Sequence, residues 1–187
     1  MSEAGRYPEE LSHAVTIGDG TRVFVRAIRP DDAERLVTFY GRLSEHTAYQ
    51  RFFTVMKRLP PDWARMLATV DYVTRLALIA EVETPGGLEL VAVARYESTA
   101  RADTAEVAFV VQDGWQNKGL GTALLHDLLR AAQARGIRRF SAYVLAGNRR
   151  MLDLISRFTT VVERTLESGV VEATFTADAP GPRPGPA

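Results

Sequence analysis

The sequence predicts an α+β fold, or α/β in looser usage, built on a mixed and mostly antiparallel sheet of about seven strands with helices on both faces. Its 187 residues are enough for one domain with a buried core, whereas two domains would be cramped. Three consecutive strand-like segments lie between residues 74 and 111, which favours antiparallel pairing. A glycine-rich turn then leads into a helix and a further strand, which indicates one parallel crossover.

The first part of the chain predicts a hairpin followed by two or three helices. Residues 15–28 predict a hairpin, because Gly-Asp-Gly supplies the turn and residues 22–28 alternate apolar and polar side chains as a strand does. Residues 29–43 follow as a helix, and Asp31 and Asp32 at its start favour the positive end of the helix dipole. Ser44 can cap a second helix, and a Pro-Pro-Asp-Trp segment can begin a third because proline is tolerated in the first turn.

The second part of the chain predicts the three strands, the crossover and a closing hairpin. Residues 74–83 and 88–98 form an antiparallel hairpin around a Thr-Pro-Gly-Gly turn, and Thr104–Val111 is the third strand. The helix after the glycine-rich turn runs to about Gly136, a residue suited to a helix C-terminus. The remaining elements are a strand at 138–145, a helix at 148–158 and a hairpin at 160–175.

We expect a single domain over residues 15–176, with an N-terminal extension at 1–14. Residues 177–187 are rich in proline and glycine without a period, so we expect this tail to be disordered. The N-terminus has no apolar core of the signal-peptide type, and no apolar run approaches the roughly 20 residues that span a bilayer. We therefore expect a cytoplasmic protein.

Composition excludes several classes of function. The 23 basic and 23 acidic residues leave no net charge to attract nucleic acid. There is no cysteine, so disulfides, thiolate metal sites and a cysteine nucleophile are all excluded. The three histidines have no ligand-like spacing, and we expect no metal.

The glycine-rich turn is Gln116–Thr122, "QNKGLGT", at a strand-to-helix junction. It lacks the lysine and hydroxyl residue of a nucleoside-triphosphate loop, and its spacing is not that of the dinucleotide motif. Backbone N–H groups and the helix dipole at such a junction can hold a pyrophosphate. Gly119 and Gly121 would allow close approach, while Lys118 and Thr122 could add a charge and a hydroxyl. The alternative is a tight turn that binds nothing.

Residues 107–129 and 136–158, which contain this turn, resemble the coenzyme A-binding core of the Gcn5-related N-acetyltransferases (GNAT). The pyrophosphate loop of that superfamily has the form Gln/Arg-x-x-Gly-x-Gly/Ala, and the resemblance covers about residues 21–176. The segments "SEHTAYQRFF", "VDYVTRLALIAEV" and "AEVAFVV" are similar to the catalytic domain of bacterial Pat-type protein lysine acetyltransferases. Some of those proteins carry a ligase-like region or a cyclic-nucleotide sensor, and we expect the catalytic domain alone here.

The resemblance implies acetyl-CoA as cosubstrate and a base that deprotonates an amine, since a lysine amine has a pKa of about 10.4. Glu106 is the candidate because it interrupts the otherwise apolar strand Thr104–Val111, and Pat-type domains place their base in this strand. Alternation groups Glu106 with Thr104, Ala108 and Val110 on one face. Partial desolvation would raise the pKa of the carboxylate. The alternative is a solvent-facing residue or an ion pair with a nearby arginine.

The resemblance also implies the residues that hold the cofactor. Backbone groups around Val110 and Val111 would orient the pantetheine arm and the thioester. Asn148 would contact the cofactor and can also cap its helix. The complete predicted set is Val110, Val111, Gln116, Asn117, Lys118, Gly119, Leu120, Gly121, Thr122 and Asn148.

The sequence departs from the common GNAT pattern in two places. A tyrosine that often protonates the leaving thiolate is replaced by Ile155, a departure shared with Pat-type domains. We therefore name no general acid, and we expect Tyr143 to belong to the core or a wall of the site. The usual Gly-Phe after the helix is replaced by Thr159–Thr160, which alters the loop that helps to form the substrate wall. By the same likeness, Arg51 and Asp71 are candidate acceptor-side residues.

These observations predict an N-acetyltransferase that transfers acetyl directly to a protein lysine, with an acceptor such as an acyl-CoA synthetase. A small-amine acetyltransferase acting on an aminoglycoside, polyamine or amino acid is the alternative enzyme. A catalytically silent acyl-CoA-binding module is the alternative from another class, and Glu106 is the feature against it. We expect no nucleic-acid or membrane partner, and a monomer or homodimer.

Overall fold

The computed structural model describes residues 5–177 and confirms an α+β fold around one mixed sheet. Eight strands lie in the order β1-β2-β3-β4-β5-β6-β8-β7, one more than the sequence predicted. All neighbours are antiparallel except the parallel pair of β5 and β6. The strands are β1 (His13–Thr16), β2 (Arg22–Ala27), β3 (Arg75–Thr84), β4 (Gly87–Ser98), β5 (Thr104–Val111), β6 (Arg139–Leu145), β7 (Thr159–Glu167) and β8 (Val170–Ala177).

Within residues 5–177 five helices cover the sheet, and the sheet separates two apolar clusters, one on each face. The helices are α1 (Ala33–Gly41), α2 (Glu45–Phe52), α3 (Pro61–Ala68), α4 (Leu120–Ala134) and α5 (Arg149–Phe158). Leu124 of α4 and Ile155 of α5 belong to one cluster, whereas Phe39 of α1 and Ala64 of α3 belong to the other. None of the helices in residues 5–177 is long and apolar enough to cross a membrane.

The ends of α2 and α4 form as their sequences predict. The Ser44 side chain accepts a hydrogen bond from the Thr47 N–H, which satisfies a donor in the first turn of α2. Gly136 has φ of 87°, and the Ile137 N–H donates to the Ala132 carbonyl at 3.1 Å. This is the glycine-terminated helix end expected for α4.

β5 and β6 separate along their length, and this positions the site. Their pairing stops at Glu106 and Ser141, although β5 continues to Val111 and β6 to Leu145. Beyond this point the facing edges of the two strands have no strand partner. The sheet is therefore open between them, on the side where α4 begins.

The N-terminal residues described by the structure pack against the domain. The Gly5 N–H donates to the Asp71 carbonyl at 2.7 Å, and the Tyr7 hydroxyl donates to the Ala27 carbonyl at 2.8 Å. The Tyr7 ring also meets Tyr72 edge to face, with the centroids 5.4 Å apart. Ala177, which we expected to begin the disordered tail, is the last residue of β8; disorder of residues 178–187 remains a prediction, because they lie outside the described range.

A buried ion cluster joins β2, β3 and the start of α1. Asp32 is 3% exposed and accepts hydrogen bonds from two nitrogens of Arg26, both at 2.8 Å, from Arg35 and from the Arg29 N–H. Glu81 pairs with Arg26 and Arg35 on the other side. Asp32 therefore does more than complement the dipole of α1, which was the only role that its position in the sequence suggested.

Candidate active site

A cavity of about 640 Å³ lies in the opening between β5 and β6, bordered by α2 and by the start of α4 and of α5. The predicted residues that line it are Glu106, Val110, Val111, Gln116, Asn117, Gly119, Gly121, Thr122 and Asn148. Lys118 and Leu120, also predicted, do not line it. The cavity thus runs from the glycine-rich turn to the candidate base, as a long cofactor with a reactive end would require.

Glu106 lies in this cavity, at the last position of β5 that pairs with β6. It faces Glu97 of β4 and Ser141 of β6 in the register of the sheet, and its side chain is exposed. Although Glu106 is exposed as a whole residue, the walls of the cavity partly desolvate its carboxylate and raise its pKa; Arg51 acts against this shift, whereas Glu97 and Glu172 add to it. Within residues 5–177 Glu106 makes no salt bridge, so its carboxylate is available to a substrate.

The backbone of the glycine-rich turn is shaped to receive an anion. Asn117 and Gly119 have φ of 60° and 84°, and α4 begins at Leu120. Leu120, Gly121 and Thr122 form the first turn of α4, where backbone N–H groups have no acceptor within the helix. Leu120 is fully buried and does not line the cavity, so Gly121 and Thr122 are the residues of this turn that can offer an N–H to it. Several free N–H groups at a helix N-terminus match the requirement of a pyrophosphate.

The Lys118 side chain turns away from this cavity. Its Nζ lies 2.8 Å from Asp19 in the turn between β1 and β2, and 5.1 Å from the centroid of the Trp115 ring. It borders a separate pocket of about 510 Å³ together with Gly18 and Asp19. The charge that the sequence assigned to the pyrophosphate is thus already paired within the protein.

Arg149 and Arg150 supply positive charge where Lys118 does not. Both line the cavity at the start of α5, directly after Asn148, and neither is among the site residues predicted from the sequence. Arg150 Nη1 donates to the Gln116 Oε1 at 2.8 Å. The sequence signal that could have identified them is the pair of adjacent arginines directly after the Asn148 cap of α5. In the structure the start of α5 lies beside the glycine-rich turn.

Gln116, Asn148 and the two valines combine structural roles with their places in the cavity wall. The Gln116 Nε2 donates to the Val111 carbonyl at 2.9 Å, and the Asn148 side chain accepts from the Met151 N–H as the cap of α5. The Gln112 N–H donates to a carbonyl of β4, so alternation along β5 turns the Val110 backbone towards β4 and the Val111 backbone towards the cavity. Val111 is therefore the better placed of the two valines to offer a backbone N–H.

Asp113 holds α2 over the cavity. Its carboxylate accepts hydrogen bonds from the Ser44 hydroxyl at 2.6 Å, the Ser44 N–H at 3.0 Å and the Thr47 hydroxyl at 2.8 Å. Although burial acts in the opposite sense, these bonds lower the pKa of Asp113. The contact ties the loop after β5 to the helix that carries Arg51, and the sequence analysis did not detect it because the residues are far apart in the chain.

Arg51 lines the cavity, whereas Asp71 does not. Burial, with Arg95 nearby, lowers the pKa of Arg51 to about 10, so the guanidinium stays charged at neutral pH. Within residues 5–177 it makes no hydrogen bond or salt bridge, and it lies 4.9 Å from the centroid of the Phe52 ring. Asp71 instead accepts hydrogen bonds from three N–H groups of the turn that follows it.

Comparison with known proteins identifies the family. The family model described as the acetyltransferase (GNAT) family matches residues 45–158, more than half of the chain. The chain belongs to the GNAT acetyltransferase family. It is therefore an acyltransferase, and the cavity between β5 and β6 is the candidate active site of a GNAT enzyme.

Individual relatives agree with this GNAT assignment. The chain is 32% identical to acetyltransferase PA5475 of Pseudomonas aeruginosa over 80% of each chain. It is 34% identical to acetyltransferase Pat of Mycolicibacterium smegmatis over 84% of this chain, but it spans only 46% of that protein. The crystal structure of the GNAT domain of S. lividans PAT has a TM-score of 0.82 and 40% identity, covering 91% of this chain and 99% of that one.

The two positions that bear on a general acid in this GNAT domain differ in their surroundings. Ile155 is fully buried in the cluster beneath the sheet and does not reach the cavity. Tyr143 of β6 is 44% exposed, lines the cavity, and donates its hydroxyl hydrogen to Glu172 at 3.2 Å. Burial and this bond to Glu172 raise the pKa of Tyr143. Tyr143 thus forms part of the wall of the site.

Proposed function

We propose that this GNAT enzyme transfers acetyl from acetyl-CoA to protein lysine side chains, with Glu106 as the general base. The observation that carries the proposal is the exposed Glu106 carboxylate at the junction of β5 and β6, in one cavity with the free N–H groups of the glycine-rich turn. The cofactor would extend along the cavity from that turn, with its thioester near Glu106.

The chemistry requires one acyl transfer, the loss of two protons from the lysine ammonium and the gain of one proton by the leaving thiolate. The lysine ammonium gives a proton to Glu106, and the neutral amine attacks the thioester carbonyl carbon. The tetrahedral intermediate places negative charge on oxygen, which the Val111 N–H could stabilise. The nitrogen of the intermediate loses its second proton to solvent, the carbon–sulfur bond breaks to leave the amide, and the thiolate takes a proton from solvent. Because the chain has no cysteine, the acetyl group passes directly between the two substrates.

A protein acceptor is favoured over a small amine by two features. The S. lividans and M. smegmatis relatives named above are PAT and Pat proteins, and the likeness to the former covers nearly all of this chain. The candidate base and Tyr143 are both exposed to solvent, so a lysine side chain on a large acceptor can approach them. An acyl-CoA synthetase is the first acceptor that we would test.

The test is coenzyme A release from acetyl-CoA over a panel of proteins and small amines. Wild-type protein is expected to acetylate lysine on at least one protein acceptor, located by mass spectrometry. Glu106→Gln is expected to lower kcat by two to four orders of magnitude, the usual contribution of a general base, while acetyl-CoA still binds.

Other outcomes assign other functions. Turnover confined to small amines would identify a small-molecule acetyltransferase. Acetyl-CoA binding without turnover of any acceptor would indicate a silent acyl-CoA-binding module. Equal rates for wild type and Glu106→Gln would remove Glu106 as the base.

A further inference from the structure

We propose that Glu172 of β8, held by Tyr143 of β6, recognises the positively charged amine of the acceptor before the amine is deprotonated at Glu106. This assignment of a specificity-determining residue rests on the proposed function. Glu172 itself does not line the cavity; it lies directly behind Tyr143, which does, and would distinguish a cationic acceptor from the anionic cofactor at that edge of the site.

The register of the sheet places the three side chains on one face. Ser141 pairs with Glu106, and Tyr143 lies two residues further along β6, so its side chain points to the same side. Glu172 is the partner of Tyr143 in the antiparallel pair of β6 and β8. The Tyr143 hydroxyl donates to Glu172 Oε1 at 3.2 Å. Glu106, Tyr143 and Glu172 therefore follow one another across three strands.

Glu172 is free to accept a cation. It is half-buried, and within residues 5–177 it forms no salt bridge and accepts a hydrogen bond from the neutral Tyr143 hydroxyl. An ionised carboxylate has about four acceptor positions, so the bond to Tyr143 leaves most of them available. The bond also restrains the carboxylate, which reduces the entropy lost when an ammonium group binds.

The positive and negative side chains around the cavity are separated in space. The unpaired cation Arg51 belongs to α2, which packs on β5, and Arg149 and Arg150 lie beside the glycine-rich turn. Glu172 lies on the far side of β6 from these groups. Anionic phosphates are attracted to the arginines, whereas an ammonium group is attracted to the carboxylates of Glu106 and Glu172.

A lysine amine approaches neutral-pH enzyme almost entirely as ammonium, because its pKa is about 10.4. Binding it between two carboxylates makes its arrival favourable, and the subsequent transfer of its proton to Glu106 leaves Glu172 ionised. The two carboxylates thus have separate roles: Glu172 binds the cation, and Glu106 takes the proton. Since both are negative, Glu172 also contributes to the raised pKa of Glu106.

The experiment compares wild type, Glu172→Gln, Glu172→Asp and Tyr143→Phe. Glu83→Gln is the matched control, since it removes the same charge from an exposed position on β3, which lies on the opposite side of β5 from β8. In the presence of coenzyme A, binding of a peptide with one free lysine is measured by NMR titration, and the same peptide with an acetylated ε-amine is the uncharged reference. Steady-state kinetics on the acceptor identified above give KM and kcat.

For Glu172→Gln we expect about tenfold weaker binding of the free-lysine peptide, corresponding to about 1.4 kcal/mol. The acceptor KM should rise by a similar factor, while kcat and the KM for acetyl-CoA stay within about twofold. Glu172→Asp should recover part of the affinity, Tyr143→Phe should lose less than Glu172→Gln, and Glu83→Gln should match wild type.

Equal binding of the free-lysine peptide by wild type and Glu172→Gln, including the absence of binding by both, would overturn the assignment. A rise in the KM for acetyl-CoA of the same size would also overturn it, because Glu172 would then act on the cofactor. The proposed function has its own criterion, namely loss of turnover in Glu106→Gln with acetyl-CoA binding retained, so the two can fail separately.

Discussion

Lys118 Nζ lies 2.8 Å from Asp19 Oδ2, and the carbonyl of Lys118 accepts a hydrogen bond from the Gly18 N–H at 2.8 Å. These two contacts connect the turn between β1 and β2 to the glycine-rich turn before α4. The hydrogen bond and charge of Lys118 lower the pKa of Asp19. Arg149 and Arg150 line the cavity beside the glycine-rich turn, so we expect them to supply the positive charge for the cofactor phosphates there.

The first prediction compares Lys118→Met with Arg149→Met. Because the ammonium of Lys118 is already paired and faces another pocket, its loss should raise the dissociation constant for acetyl-CoA by no more than about threefold, as for most exposed ion pairs. Arg149→Met should raise that constant about tenfold, since a charged contact to phosphate is worth about 1.5–3 kcal/mol. Calorimetric titration measures both constants. A larger loss for Lys118→Met than for Arg149→Met would contradict the assignment.

The second prediction separates the two glycines of the turn. A Cβ at Gly121 would lie 3.7 Å from Leu154 Cδ2, an ordinary contact, so Gly121→Ala should fold with unchanged or slightly higher stability. Its methyl group would nevertheless project from the turn that we expect to hold the pyrophosphate, and acetyl-CoA affinity should fall at least tenfold. Gly119 has φ of 84°, so Gly119→Ala should lose about 1–2 kcal/mol of stability. Thermal unfolding with and without acetyl-CoA distinguishes the two effects.

Local patterns in the sequence were sufficient for most of the fold. Alternation along Thr104–Val111 placed Val107 and Phe109 on the face opposite Glu106, and both lie in the cluster beneath the sheet. Ser44 and Gly136 marked the helix ends observed for α2 and α4, because a cap depends on residues that are close in the chain. The same locality explains why the position of the glycine-rich turn was correctly predicted.

The contacts between distant segments could not be predicted in this way. The partners of Lys118 and Asp113 lie 99 and 69 residues away, and no periodicity or turn signal relates them. Glu81 was read as part of an apolar strand, yet it is buried with Arg26, Arg35 and Asp32. Such pairs depend on how the elements pack, which a single sequence does not report.

The third prediction concerns this buried cluster. Arg26, Arg35 and the Arg29 N–H lower the pKa of Asp32 despite its burial. A depressed pKa means that the stability from Asp32 is present above the unfolded-state pKa of about 3.9 and is lost as the pH falls through the lower folded-state value. Asp32→Asn should lower the free energy of unfolding by about 3 kcal/mol at pH 7. This is near the low end of the loss caused by breaking a buried ion pair, because Glu81 still pairs with Arg26 and Arg35.

The measurement is denaturant unfolding as a function of pH. Wild type should lose stability relative to Asp32→Asn as the pH falls below about 4, so that the two curves converge in acid. Asp31→Asn, at the exposed neighbouring position, is the matched control and should follow wild type within about 0.5 kcal/mol. Parallel curves for wild type and Asp32→Asn would contradict this role of the Asp32 carboxylate.

The fourth prediction is that Arg51 keeps Glu106 ionised over a wider range of pH. Glu106 is surrounded by Arg51 of α2, by Glu97 of β4 and by Glu172 of β8. Burial and the two glutamates raise its pKa, and Arg51 lowers it, because a cation stabilises the carboxylate. A base works only when deprotonated, so kcat/KM falls as the pH drops through the pKa of Glu106 in the free enzyme. Arg51→Met should therefore move the acidic limb of the kcat/KM profile to higher pH, while Glu172→Gln should move it to lower pH.

Arg58→Met is the control for Arg51→Met, since it removes a charge from an exposed residue that does not line the cavity. Its acidic limb should coincide with that of wild type. Arg51→Lys retains the positive charge on a different side chain. The acidic limb of its kcat/KM profile should therefore lie between those of wild type and Arg51→Met. If Arg51→Met lowers activity equally at every pH, Arg51 acts on substrate binding or on the packing of α2 and does not tune the base. Opposite shifts for Arg51→Met and Glu172→Gln would show that the charges of Arg51 and Glu172 act on the same titrating carboxylate, as expected if that carboxylate is Glu106.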